Sequence, residues 1–214
     1  MSPYSIAIDG PSGSGKTTIS KIIADNNKLL FISSGTLYRI AANFIDRNDS
    51  NNEIINKLEK INLVYKDKIF YVNGNDISNK LIRNEISLLA SYFATNVNVR
   101  NFVNKELKKL SQKNDVIIDG RDIGTKVLPN ANLKIFLTTS IIARVIRRKN
   151  QLLINNEKIN FFKTYLTILK RDWNDSKRKL DPLKKPKDAI VVSTNNRSIK
   201  EVVKIIQGHI KRKE

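Results

Sequence analysis

Gly10, Gly15, Lys16 and Thr17 stand at the spacing G-x-x-x-x-G-K-[ST] within "IDGPSGSGKTTIS". Residues of these types at this spacing hold the phosphates of a nucleotide. The glycines let successive backbone N–H groups line a concave nest, and the helix that follows adds the positive end of its dipole. Lys16 can reach the β- and γ-phosphates, and Thr17 can offer a hydroxyl to Mg²⁺. The bland alternative is a glycine-rich turn. Further on, "VIIDG" is an apolar run that delivers Asp119 to a sheet edge, where an acid can bind Mg²⁺ or its waters. Strands often end in Asp-Gly turns, so this stretch gains its meaning from the loop beside it.

A second set of residues suits an anionic acceptor. Arg39 follows "SGTLY", Arg100 follows "VNV", and Arg121 sits in "DGRD". Arg144, Arg147 and Arg148 share one stretch, and Arg171 and Arg178 frame "RDWNDSKR". Arginine presents a planar fork matched to phosphate oxygens and stays charged near neutrality. An enzyme that joins a triphosphate to a monophosphate gathers about six negative charges, if each phosphate carries one to two. That load calls for several cations brought together, although each arginine alone also reads as a surface residue.

These side chains need a frame. "YSIAID" is a short apolar run before the loop, and "KTTISKIIADNN" has helical spacing, which gives strand, loop, helix. "LLFISSG" reads as a second strand before the helix "TLYRIAANFIDRN", and "NEIINKLEKI" as another helix. In "NLVYKDKIFYVNGNDIS", a polar turn at Lys66–Lys68 and the Asn73-Gly74 pair predict small antiparallel strands. The next stretch, "NEISLLASYFATNVNVRNFVNKELKKLSQ", reads as two helices. "DVIIDG", "NLKIFLTT" and "DAIVVST" are buried-strand candidates. "SIIARVIRRKNQLLI", "FFKTYLTILKRDWND" and "SIKEVVKIIQGHIKR" are amphipathic helices. Apolar strands alternating with helices imply an α/β fold with a parallel sheet covered on both faces.

Composition bounds the rest. The chain has 214 residues, 40% of them apolar, enough for one domain with a small insertion. It has no cysteine, which excludes disulfides and thiolate metal sites. The N-terminal "MSPYSIAIDG" does not read as a signal peptide, and no stretch approaches the length of a membrane span. A reducing, cytoplasmic setting is expected. The net charge of +19 has three readings: nucleic-acid binding, a compositional bias rich in Lys, Asn and Ile, and a site for several phosphates. His209, in the basic tail, reads as a surface residue.

At this point the residues carry a resemblance. "IAIDGPSGSGKTT", "SGTLYR", "DGRDIGTKVLPNANLKIFLTTS", "ARVIRR" and "RDWNDSKRKLDPL" occur in the order and spacing of bacterial cytidylate kinases. The chain resembles that family essentially end to end, including the "VNGNDIS" hairpin. The "DGRDIGT" block distinguishes it from adenylate kinases, which are similar in plan. The resemblance implies a P-loop nucleoside-monophosphate-kinase fold: core at 1–35 and 113–214, an inserted acceptor-binding part at about 36–112, and a short lid at about 149–165. It implies transfer of the γ-phosphate of ATP to CMP or dCMP with Mg²⁺. A monomer is expected, acting on small nucleotides with no membrane partner and no nucleic-acid partner.

The resemblance also implies roles. Gly10, Pro11, Ser12, Gly13, Ser14, Gly15, Lys16, Thr17 and Thr18 match the ATP loop. Thr17 and Asp119 are expected at Mg²⁺. Ser34, Arg39, Ser91, Arg100, Arg121, Asp122, Asp175 and Arg178 match positions that hold the acceptor nucleotide. Of these, Ser91 and Arg100 are expected near cytosine, and Asp175 and Arg178 near the sugar. Lys16, Arg121, Arg144 and Arg148 are expected to act on the transferring phosphate. Two positions depart from the family pattern: Ser33 stands where an Asp is common, and Asn174 where an Arg is frequent. Trp173 reads as packing a helix, and Tyr38 as lining the acceptor pocket or packing the insert. Two rival readings are another P-loop small-molecule kinase, such as a shikimate-type enzyme, and a nucleic-acid-stimulated ATPase.

Overall fold

The computed structural model describes residues 3–154 and 160–211. The apolar run before the glycine loop is strand β1 (Ser5–Asp9), and the loop leads into helix α1 (Lys16–Asn26). Strand β2 (Leu30–Ser33) passes without a linker into α2 (Ser34–Ala42). The sequence places this helix at Thr36 to Asn48; it starts earlier and stops at Ala42. Polar side chains beyond Ala42 compete with the helix ladder: the Asp46 N–H donates to the Asp49 carboxylate at 2.6 Å. Helix α3 (Asn51–Glu59) opens on a capping box between Ser50 and Glu53.

Strands β3 (Leu63–Lys66), β4 (Ile69–Val72) and β5 (Asn75–Asp76) form a separate antiparallel sheet. Its two turns are Asp67-Lys68, with φ of 52° and 64°, and Asn73-Gly74, with φ of 51° and 80°. Positive φ at both central residues matches the right-handed twist of the flanking strands. Helices α4 (Ser78–Leu81), α5 (Asn84–Phe93) and α6 (Val97–Ser111) follow, the last capped by the Asn96 side chain. Strand β6 (Val116–Gly120) leads to a single π turn at Ile123–Val127 and then to β7 (Leu133–Thr138). The chain finishes with α7 (Ile141–Ile154), α8 (Phe161–Lys177), β8 (Ile190–Ser193) and α9 (Ile199–Gln207). The expected lid, about 149–165, includes 155–159, which lie outside the described residues.

The main sheet has the order β2-β6-β1-β7-β8, and every pairing is parallel. Alternation along the strands sends Ile6, Ile8, Ile117, Ile135 and Leu137 to the face covered by α1 and α9. Ala7, Ile32 and Ile118 go to the other face, in one apolar cluster with α2, α3, α6 and the small sheet. The 36–112 segment therefore shares its core with the main sheet. Parallel strands bring all their carboxyl ends to one edge, where an open α/β sheet binds its ligands. At that edge lie the glycine loop, the Ser33-Ser34 junction, Asp119 to Asp122, and Thr194. Among the described residues, no helix is long and apolar enough to cross a membrane.

Candidate active site

The loop after β1 is built to leave its backbone open. Gly10 has φ of 151°, and a Cβ there would meet the Leu137 carbonyl oxygen at 2.4 Å. Gly15 caps α1 with φ of 90°, a left-handed geometry that β-carbons oppose. Lys16 is buried, and its ammonium donates to the carbonyls of Gly10 at 2.8 Å and Pro11 at 2.7 Å. Burial, then the nearby Arg121, push Lys16 well below the ordinary lysine range, against the pull of Asp119 and Asp9. The Thr17 hydroxyl donates to Asp119 Oδ2 at 2.6 Å. Among the described residues no cluster of His, Cys, Asp or Glu could hold a metal alone. One hydroxyl and one carboxylate side by side suit a cation completed by phosphate oxygens and water.

Asp9 couples this loop to the segment after β6. It is buried and accepts the N–H groups of Ile123 at 2.9 Å and Gly124 at 2.8 Å, one on each oxygen. Burial raises its pKa to about 6, although these two bonds pull the other way. The π turn therefore starts from the carboxylate that precedes the glycine loop. Arg121, between β6 and this turn, is held near Lys16 in consequence.

The acceptor-side residues form ion pairs. Arg121 Nε donates to Asp175 Oδ2 at 2.7 Å. Asp122 takes Arg100 Nη2 on one oxygen and Arg178 Nη2 on the other at 3.1 Å. Burial raises the Asp122 pKa, while Arg100 and Arg178 oppose the shift. Arg100 also donates to Asp181 at 2.9 Å and to the Ala94 carbonyl at 3.0 Å, and it lies over the Tyr38 ring. Tyr38 thus packs against the 36–112 core and supports Arg100 at once. Ser34 is buried at the start of α2, with its hydroxyl over Gly120. Arg39 lines a cavity of about 230 Å³ with Thr36, Phe70, Ser78 and Leu81. Ser91 is exposed on α5, one turn before the Ala94 carbonyl that Arg100 holds.

Helices α7 and α8 meet over the loop. Arg144 is buried, ion-pairs with Asp172, and donates to the Ser12 carbonyl at 3.1 Å. Its stem covers Gly13. Arg147 reaches Thr194 with both terminal nitrogens, at 2.9 and 2.7 Å, and the Ser14 carbonyl at 3.5 Å. Arg148 is exposed on α7. Spacing along the chain groups all three arginines; the structure turns Arg144 and Arg147 to the loop.

Several participants escape the sequence reading of the site. Asp9 reads as the end of a strand, and Asp172 and Asp181 as parts of a charged stretch. Arg171 is solvent-accessible but closely surrounded; burial, then Arg121, with Arg39 also near, hold it below the usual arginine range. The sequence reading does count Arg171, framing "RDWNDSKR" with Arg178, among the arginines suited to an anionic acceptor, but assigns it no specific contact. Trp173 corrects an expectation: it is 65% exposed, and Lys177 of its own helix lies over its ring. It lies far around α8 from the inward-facing Ile168. Asn174 is exposed, and Ser33 makes no side-chain cap at α2.

Comparison with known proteins narrows the reading. The family model described as cytidylate kinase matches residues 6–212. The chain is 39% identical to a cytidylate kinase of Thermosipho melanesiensis, over 99% of this chain and 98% of that protein. It is 40% identical to a cytidylate kinase of Clostridium tetani, over 92% of this chain and 89% of that protein. Among solved structures, a shikimate kinase of Bacteroides thetaiotaomicron aligns over 96% of this chain and 97% of its own, with a TM-score of 0.50 and 12% identity. That likeness is one of fold alone. With a glycine loop, an arginine-carboxylate network and end-to-end sequence similarity in hand, the chain belongs to the cytidylate kinase family.

Proposed function

We propose that this enzyme transfers the γ-phosphoryl group of ATP to CMP or dCMP, giving ADP and CDP or dCDP. The observation that carries the reading is the meeting of Lys16 with Arg121 and Arg171 at one sheet edge, close enough that both arginines push the Lys16 pKa down. Carboxylates beside Lys16 and Arg121 offset part of that charge, and two phosphorylated substrates would supply the anions for the rest.

Residues 10–18 cradle the donor phosphates, with Thr17 and Asp119 as the residues that would hold Mg²⁺. Bound there, the ion would neutralise charge between the donor's terminal phosphates. Ser34, Arg39, Ser91, Arg100, Arg121, Asp122, Asp175 and Arg178 hold the acceptor within the segment of about 36–112 and its neighbours. An oxygen of the acceptor phosphate attacks the γ-phosphorus, a new P–O bond forms, and the bond to the β,γ-bridging oxygen breaks. That acceptor oxygen is already ionised, so no general base is needed. Lys16, Arg121, Arg144 and Arg148 stabilise the charge on the transferring group. Helices α7 and α8, which meet over the loop, would shield the site from water, the competing acceptor. The reading places the enzyme in the cytoplasm as a monomer acting on small nucleotides.

The test is ATP consumption with CMP, dCMP, UMP, AMP, GMP and shikimate as acceptors. CMP and dCMP are expected to lead. A preference for a purine nucleotide or for shikimate overturns the assignment.

A further inference from the structure

Asp181 sits in the "KRKLDPL" stretch that follows α8, and its backbone is unusual. Its φ is 42°, in the left-handed region, and Pro182 follows it directly. Non-glycine residues seldom adopt that region, and a following proline restricts the backbone further. Such a conformation persists only where surrounding contacts hold it.

The contacts here are specific. The Asp181 carboxylate accepts Arg100 Nε at 2.9 Å, with Lys126 at 3.8 Å from its other oxygen. Its backbone carbonyl accepts Arg178 Nε at 2.8 Å and also Arg178 Nη2. One residue thus grips both arginines that flank Asp122. Arg100 is only 2% exposed, so its guanidinium has few alternative partners.

A count of donors shows what this does. A guanidinium has five N–H groups. In Arg100, Nε is taken by Asp181, one N–H of Nη1 by the Ala94 carbonyl, and one of Nη2 by Asp122. One N–H remains on each terminal nitrogen. Holding Nε stops rotation of the fork, so the directions of those two donors are fixed relative to Asp122, which Nη2 also bonds. A donor pair next to an acceptor matches cytosine, whose 4-amino group donates while N3 and O2 accept. Uracil reverses two of these: its N3–H donates and its O4 accepts.

We propose that Asp181 sets the base selectivity of the acceptor site, as a positioning residue that fixes the Arg100 fork against Asp122 and steadies Arg178. The proposal rests on the CMP-kinase reading above.

The experiment compares kcat and KM for CMP and UMP, and thermal midpoints, in the wild type, Asp181→Gly and Asp181→Asn. Glycine accepts the positive φ and removes the carboxylate; asparagine keeps the shape and one acceptor. For Asp181→Gly, the CMP KM should rise about tenfold while kcat stays within about threefold, and the CMP-to-UMP ratio of kcat/KM should fall about tenfold. Asp181→Asn should restore most of that ratio. Arg100 keeps Asp122 as a counter-charge, so the midpoint of the glycine variant should fall by no more than a few degrees. A ratio within about twofold of wild type in Asp181→Gly overturns the proposal. So does an equal loss for CMP and UMP that tracks a lowered midpoint in both variants. A wild type inactive on CMP but active on another acceptor sinks the underlying reading before any variant is compared.

Discussion

Asp172 ion-pairs with Arg144 and, on its other oxygen, accepts the Ser12 N–H at 3.3 Å. One carboxylate therefore occupies a loop N–H and a loop-side arginine together, the partners that a donor phosphate would take. Removing it leaves Arg144 buried without its counter-charge. The pair is partly open to water, so Asp172→Ala should cost about 1–2 kcal/mol without nucleotide. For a chain of this size that is a fall of about 2–8 °C in the thermal midpoint. With saturating ATP the gap to wild type should shrink by more than half. A gap that persists would mean Arg144 is not handed from carboxylate to phosphate.

Lys16 at rest is bonded to the carbonyls of Gly10 and Pro11, in its own loop. Its charge is therefore already inside the nest when phosphates arrive. Lys16→Met should lower kcat about 100-fold or more, roughly 2.7 kcal/mol on the barrier, with the circular dichroism spectrum unchanged. Turnover within about threefold of wild type would falsify the catalytic role.

Asp9 titrates near pH 6 because it is buried. An acid whose folded pKa is raised binds its proton more tightly in the folded state. Its contribution is thus greatest below the unfolded value of about 4, and it declines as pH rises to about 6. Between those limits the wild type should lose about 3 kcal/mol relative to Asp9→Asn, with no further relative change above pH 7. Denaturant unfolding of both proteins from pH 4 to 8 measures the difference. A flat difference across that range removes Asp9 as the titrating group.

Arg171 lies near Arg121 and Arg39 and is paired by no side-chain ion pair among the described residues. It is the natural free partner for an acceptor phosphate. Arg171→Gln should reduce kcat/KM for CMP about 100-fold or more and leave the ATP KM within about threefold. Equal changes in both constants would place Arg171 on the donor side.

Local features were legible in the chain. The Asn73-Gly74 turn and the strand-loop-helix around Lys16 depend on neighbours a few residues apart. The π turn at Ile123–Val127 was not, because its first N–H groups answer to Asp9, more than a hundred residues earlier. Arg147 and Arg148 are adjacent in sequence, and only the packing of α7 on the loop separates them. Trp173 misled because an amphipathic pattern tells which residues are apolar, not whether an element stands ready to cover them. Asp181 was illegible for a further reason: Asp before Pro ordinarily signals an extended turn, and its left-handed backbone is imposed by Arg100 and Arg178.

The bonds from Asp9 also constrain how such an enzyme could be re-engineered. A loop transplanted from another kinase at Gly10 through Thr18 would bring its own phosphate nest, but not the carboxylate just upstream that anchors the "DIG" turn. A chimera cut after residue 9 should keep the two half-sites in alignment. One cut a residue earlier, with a neutral side chain supplied at that point, should bind each nucleotide separately and bring them together poorly. The smallest exchangeable module in this fold is therefore the loop plus the acid before it.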